Sequence, residues 1–203
     1  GSLDDSVLER MKGYHSRSSA RIQTIDRRAD RRFDLCKLAV YLDAYRLKRA
    51  LCRVRSVLAV LRGDGGFYDV AELVKGPFVA SHSNCRELAP ATRNLTDDMI
   101  RILAEHGGVC GLNFYPPFLN TDPVDKVSRI ERMCEHVKHL VNVGGIECVG
   151  IGTDFDGIEG NLEIADCMEM EKLFDALQKK GFCEDDIERI AYKNVERVIR
   201  EVM

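Results

Sequence analysis

The chain has 203 residues, 45% of them apolar and 31% charged; that is the balance of a soluble globular protein with enough chain for a buried core. No stretch approaches the roughly 20 uninterrupted apolar residues of a membrane helix, which argues against a membrane role. The formal charge of −3 is unevenly spread: residues 1–62 carry 15 Lys and Arg against 7 Asp and Glu, residues 63–203 carry 15 against 26, and such a split suggests two origins or roles.

In chain order, the opening Gly1-Ser2-Leu3-Asp4-Asp5 lacks the basic-then-apolar layout of a signal peptide, and Gly1-Ser2 reads as a cloning remnant. Residues 16–33 are Arg-rich, and Leu35 to Leu61 is apolar and basic with good helix formers. The expectation for residues 1–65 is a basic, mostly helical segment. Pro77–Ser81 is a short apolar run that reads as a strand. A helix is predicted from about Thr96 to Glu105, with Thr96 as N-cap and Asp97 and Asp98 at the positive end of its dipole. Val109–Phe114 is the second strand. A long helix is expected from about Asp125 to Val143, its stripe running from Val127 through Ile130, Met133, Cys134, Val137 and Leu140 to Val141. Cys148–Gly152 is the third strand, and helices follow over Met168–Lys180 and Glu184–Val202. Apolar strands alternating with helices predict a parallel sheet with helices outside it.

The eight cysteines form no C-x-x-C pair, and several fall in apolar runs. They read as buried free thiols in a reducing compartment, with a cytoplasmic location as the expectation. No Walker loop, Rossmann fingerprint, nucleophile elbow or zinc-finger spacing is present.

The candidate chemistry lies at the ends of the predicted strands, where parallel α/β folds build their sites. His82 follows the first strand and suits a zinc-type metal, although one histidine makes no metal site. Arg93, in the loop after it, is suited to a bidentate pair with a carboxylate or to a solvated surface. Asp154 ends the third strand, where it serves either as a general acid/base or as part of an Asp-Gly turn. His136 and His139 are three apart on the long helix and read as its solvated polar side; His106 complements a helix end.

Gly76-Pro77-Phe78-Val79-Ala80-Ser81-His82-Ser83-Asn84-Cys85-Arg86, followed by Thr92-Arg93-Asn94-Leu95-Thr96-Asp97-Asp98, resembles the membrane (renal) dipeptidase family of zinc peptidases. The likeness continues in Gly107-Gly108-Val109 with Asn113-Phe114-Tyr115, in Val149 to Gly157, and in Glu196-Arg197-Val198. The resemblance covers residues 66–203. It implies the last three βα units of a (β/α)₈ barrel with two zinc ions at its mouth. It also implies that His82 is a zinc ligand, Arg93 grips the terminal carboxylate of a dipeptide substrate, and Asp154 is the acid/base. A metal-activated hydroxide attacks the dipeptide carbonyl in that family. Its remaining zinc ligands come from an early His-x-Asp, a bridging Glu and an earlier strand histidine. Residues 1–65 hold no His-x-Asp and one histidine, His15, and Val54–Arg62 offers no ligand. The composition change at Asp64-Gly65-Gly66 fits a truncated or frame-shifted relative. Two alternatives follow: a non-catalytic remnant acting as an interaction or assembly protein, and a homodimer that covers open strand edges. The basic first segment lacks any aromatic platform or nucleic-acid motif, so no nucleic-acid partner is expected.

Overall fold

The computed structural model describes residues 64–202; the expected helices before Leu61 lie outside them. Three short strands form a parallel sheet: β1 (Val79–Ala80), β2 (Val109–Leu112) and β4 (Val149–Ile151), in the spatial order β1-β2-β4. Val79 pairs with Val109, and Cys110, Gly111 and Leu112 pair with Val149, Gly150 and Ile151. Every residue of these strands is buried, which is why they read as continuous apolar runs rather than alternating ones.

The connections are helical. After α1 (Asp64–Leu73) and β1, helix α2 (Asp97–Glu105) leads to β2. The Thr96 side chain caps α2 by accepting from the Met99 N–H at 3.2 Å, and Met99, Ile100 and Leu103 face inward. One turn, α3 (Pro116–Leu119), follows β2, and α4 (Ile130–Gly144) leads to β4 through a 3-10 turn at Ile146–Cys148. Beyond β4 come α5 (Glu171–Lys179), α6 (Glu184–Glu188), a π turn at Arg189–Lys193 and α7 (Asn194–Val202). Buried Asn194 ties this last stretch to the sheet, donating to the Ile146 carbonyl at 2.7 Å and the Val149 carbonyl at 2.8 Å.

Several boundaries differ from the sequence expectation. The long helix begins at Ile130, not Asp125. Asp125 Oδ1 accepts from the Val127 N–H at 3.0 Å, and Asn120 Nδ2 donates to the Asp125 and Val127 carbonyls at 3.1 and 2.9 Å. Those bonds divert the backbone into a two-residue strand, β3 (Val127–Ser128), paired in parallel with β5 (Asn161–Leu162). The expected single C-terminal helix is interrupted by the π turn. Helix α1 runs through Gly65-Gly66 despite their low helix propensity, because Phe67 and Val70 bury against the core. Arg86 grips its first residue, Asp64, with two bonds of 2.7 and 2.6 Å.

His136 is not on a solvated face. Its side chain is fully buried, because Leu119 and the segment at Cys85 close over that side of α4. His139 is partly covered and meets Asp97 Oδ1 at 2.6 Å.

Candidate active site

The carboxyl ends of β1, β2 and β4 come together, and glycine makes this possible. A Cβ at Gly111 would stand 2.2 Å from the Ser81 carbonyl oxygen, and one at Gly152 only 2.0 Å from it. No side chain fits there. The residue after Ser81 is His82.

The His82 ring lies between a hydroxyl and a guanidinium: Ser81 Oγ is 2.7 Å from Nδ1, and Arg93 Nη2 is 2.6 Å from Nε2. A guanidinium can only donate, so Nε2 accepts and Nδ1–H donates to Ser81. Burial holds the His82 pKa below the usual imidazole range; the charge of Asp154 opposes this, Arg93 adds to it, and Asp156 opposes it. With Nε2 accepting from Arg93, the one ring proton sits on Nδ1 and the Nε2 lone pair is directed at Arg93. The guanidinium of Arg93 also sits 5.6 Å from the centre of the Phe118 ring, a cation–π arrangement.

Asp154 follows β4 by three residues and has φ 63, the left-handed region that non-glycine residues rarely adopt. Its Oδ2 accepts from Asn113 Nδ2 at 3.2 Å, and its carbonyl accepts from the Gly157 N–H at 2.8 Å. A cleft of about 350 Å³ lined by Tyr115, Asp156, Gly157, Ile158 and Glu159 opens beside it. The structure thus brings His82, Arg93 and Asp154 into one neighbourhood. Sequence reasoning gave no role to Asn113 or Phe118; the signals were Asn113's place in the family-like Asn113-Phe114-Tyr115 at the end of the second strand and Phe118's place just beyond it.

A metal is a separate matter. Among the described residues no group of three or more His, Cys, Asp or Glu is arranged to hold an ion. His82 has the tautomer of a ligating imidazole, but its free nitrogen faces a cation. Cys85, Cys110, Cys134 and Cys148 are buried free thiols, and burial raises the pKa of each, to about 11 for Cys134 and Cys148. They are packing residues rather than thiolate ligands. Cys167 is partly buried and Cys183 exposed; Cys36 and Cys52 lie outside the described residues.

Comparison with known proteins gives this arrangement a context. The model of the membrane dipeptidase family, peptidase family M19, matches residues 62–203. An uncharacterised protein in the pqqA 5′ region of Klebsiella pneumoniae is 34% identical over 140 residues, spanning 68% of this chain and 52% of that protein. Dipeptidase tcpJ of Claviceps purpurea is 30% identical over 135 residues, 66% of this chain and 31% of its own length. The chain thus spans about half or less of the length of these relatives. Among solved structures, a metallopeptidase from Rhodobacter sphaeroides, liganded with a phosphinate mimic of the dipeptide L-Ala-D-Ala, superposes with a TM-score of 0.65 at 34% identity. That likeness covers 68% of this chain and 40% of the other. The α/β fold with small parallel sheets is shared with such structures. The family match covers well over half of the sequence, and the chain belongs to the membrane dipeptidase family, peptidase family M19.

Proposed function

We propose that this chain carries the substrate-holding and proton-transferring side of a zinc dipeptidase site, at the mouth of what in the whole barrel are its last three βα units. The observation that carries the reading is the contact of Arg93 with His82 within the charge field of Asp154. Arg93 offers a planar fork suited to the terminal carboxylate of a dipeptide, and the Phe118 ring behind it restricts its freedom. Asp154, held through one oxygen by Asn113, passes a proton to the departing amine in this reading, and the oxygen not bound by Asn113 supports that role. His82, whose Nε2 lone pair is here directed at Arg93, has in that nitrogen the chemistry of a ligand to one of two zinc ions.

The described donors do not fit a zinc site by themselves. Zinc takes three or four ligands, whereas among the described residues one imidazole nitrogen stands against a guanidinium, and the only histidine of residues 1–63 is His15. Binding and proton transfer are therefore what these side chains supply.

The test is zinc content together with hydrolysis of a dehydrodipeptide and of dipeptides ending in a D-residue, with and without a chelator. Chelator-sensitive hydrolysis that falls at least about a hundredfold in Asp154→Asn supports the reading. Hydrolysis untouched by that substitution removes Asp154 from its role. A chain that holds no zinc and cleaves none of these substrates overturns the reading in favour of a non-catalytic interaction protein.

A further inference from the structure

Behind the mouth lie three asparagines with no exposed surface: Asn84, Asn94 and Asn113. A primary amide is unfavourable in such a place unless its donors and acceptor are met. Asn84 clamps the end of β2. Its Oδ1 accepts from the Asn113 N–H at 3.0 Å, and its Nδ2 donates to the Asn113 carbonyl at 2.9 Å and the Phe118 carbonyl at 3.0 Å. Asn94 closes the other side: its Oδ1 accepts from the Asn84 N–H at 3.1 Å, and its Nδ2 donates to the Ala89 and Phe118 carbonyls, each at 2.9 Å.

Asn113 is the member that reaches the site. Its Oδ1 accepts from the Tyr115 N–H at 2.6 Å and its Nδ2 donates to Asp154 Oδ2 at 3.2 Å. Because a backbone N–H can only donate, the Tyr115 bond fixes which end of the amide is oxygen and so aims the NH₂ at Asp154. Asp154 benefits from a fixed partner, since its backbone is in the unfavourable left-handed region. The other end of the relay lies beside Arg93: Asn94 is the next residue, and Phe118, whose carbonyl both Asn84 and Asn94 hold, places its ring by the guanidinium.

We propose that Asn113 is a positioning residue for Asp154, locked by Asn84 and Asn94 to the segment that carries Arg93, so that carboxylate grip and proton transfer stay in register. This rests on the roles given above to Arg93 and Asp154. The relay makes the two ends separable, because Asn113 touches the proton-transfer group and not the gripping one.

Two variants test it. Asn113→Asp keeps the acceptor for the Tyr115 N–H but sets a second carboxylate against Asp154 where the donor stood, whereas Asn113→Ala removes donor and acceptor without adding charge. Each is expected to lower kcat for dipeptide hydrolysis by about tenfold or more while KM stays within about twofold. If KM rises as much as kcat falls, or if kcat is unchanged in the folded variants, the proposal is overturned. A second readout is independent of activity. In Asn113→Ala, amide hydrogen exchange at Gly157, whose N–H donates to the Asp154 carbonyl, should quicken about tenfold while the centre of α4 is unchanged. Unaltered exchange at Gly157 overturns the relay. Faster exchange there in a chain that cleaves no dipeptide upholds the relay and instead removes the functional reading it rests on.

Discussion

A buried imidazole converts pH into stability, and His136 is such a group. Its Nδ1 accepts from the Cys85 N–H at 3.1 Å and its Nε2 lies 3.0 Å from the Leu119 carbonyl, so Nε2 carries the proton and the ring is neutral. A second proton on Nδ1 would face the Cys85 N–H directly. Burial lowers the pKa from 6.5 to about 4; the bond to Leu119 opposes this, and the charges of Arg132 and His139 reinforce it. The folded value is depressed, so the unfolded chain takes up a proton that the folded chain refuses. Stability is therefore complete above 6.5 and is lost as pH falls toward 4. At pH ~4.5 the loss from this one group is about 2.5 kcal/mol. The assay is urea unfolding at pH ~7.5 and ~4.5 for the parent chain and His136→Gln. Glutamine can still donate to Leu119 but does not titrate, and it deprives the buried Cys85 N–H of its acceptor. The variant should therefore be weaker by about 1–3 kcal/mol at the higher pH. Between the two pH values the parent should lose about 2.5 kcal/mol more than the variant, while contributions common to both, including that of His82, cancel. Equal pH slopes would refute the assignment. Cys85 lies three residues past His82, so acid release of His136 should loosen the site segment before it unfolds the sheet.

Two further outcomes follow from the site. Arg93→Lys keeps the charge but loses the planar fork, so KM for a dipeptide should rise about tenfold with kcat within about threefold. An unchanged KM in steady-state kinetics would remove Arg93 from carboxylate binding. Gly152→Ala places a Cβ 2.0 Å from the Ser81 carbonyl oxygen. It should destabilise the chain by roughly 3 kcal/mol, seen as a fall in Tm by calorimetry, and an unchanged Tm would mean that the strand ends do not approach so closely.

Much of the fold was legible because its signals are local. Thr96-Asp97-Asp98 starts a helix through capping and dipole chemistry that needs no distant partner, and the structure begins α2 at Asp97. The three apolar runs became the parallel sheet for the same reason: residues buried on both faces leave a continuous apolar signature. The failures were tertiary. His136 looked like a polar-face residue because periodicity records only the helix's own geometry, whereas its burial depends on Leu119 and Cys85, 17 and 51 residues away in sequence. The start of α4 was misplaced because Asp125 and Asn120 bind the backbone that a helix would have used. His82, Arg93 and Asp154 were legible only as strand-end residues with family-like neighbours; the His82–Arg93 contact and the charge of Asp154 beside it depend on the tertiary fold.

The arrangement also explains why the polar residues of the mouth can be held so tightly by a sheet so small. Strands of two to four residues supply few ladder bonds, so rigidity at their ends must come from elsewhere. Two devices supply it. Gly111 and Gly152 let the backbones at the ends of β2 and β4 close on the Ser81 carbonyl, fixing where the chain leaves β1 just before His82. Asn84 and Asn94 then replace missing ladder bonds with side-chain amides, pinning the loop after His82 to the end of β2 and to Phe118. Such amides are satisfied only when all their partners are in place, so the loss of one leaves buried polar atoms exposed to no compensating partner. Loss of Asn84 or Asn94 is therefore expected to loosen the His82–Arg93 loop and the end of β2 together, whereas loss of Asn113, whose side chain reaches only Asp154 and the Tyr115 N–H, leaves the Arg93 side in place.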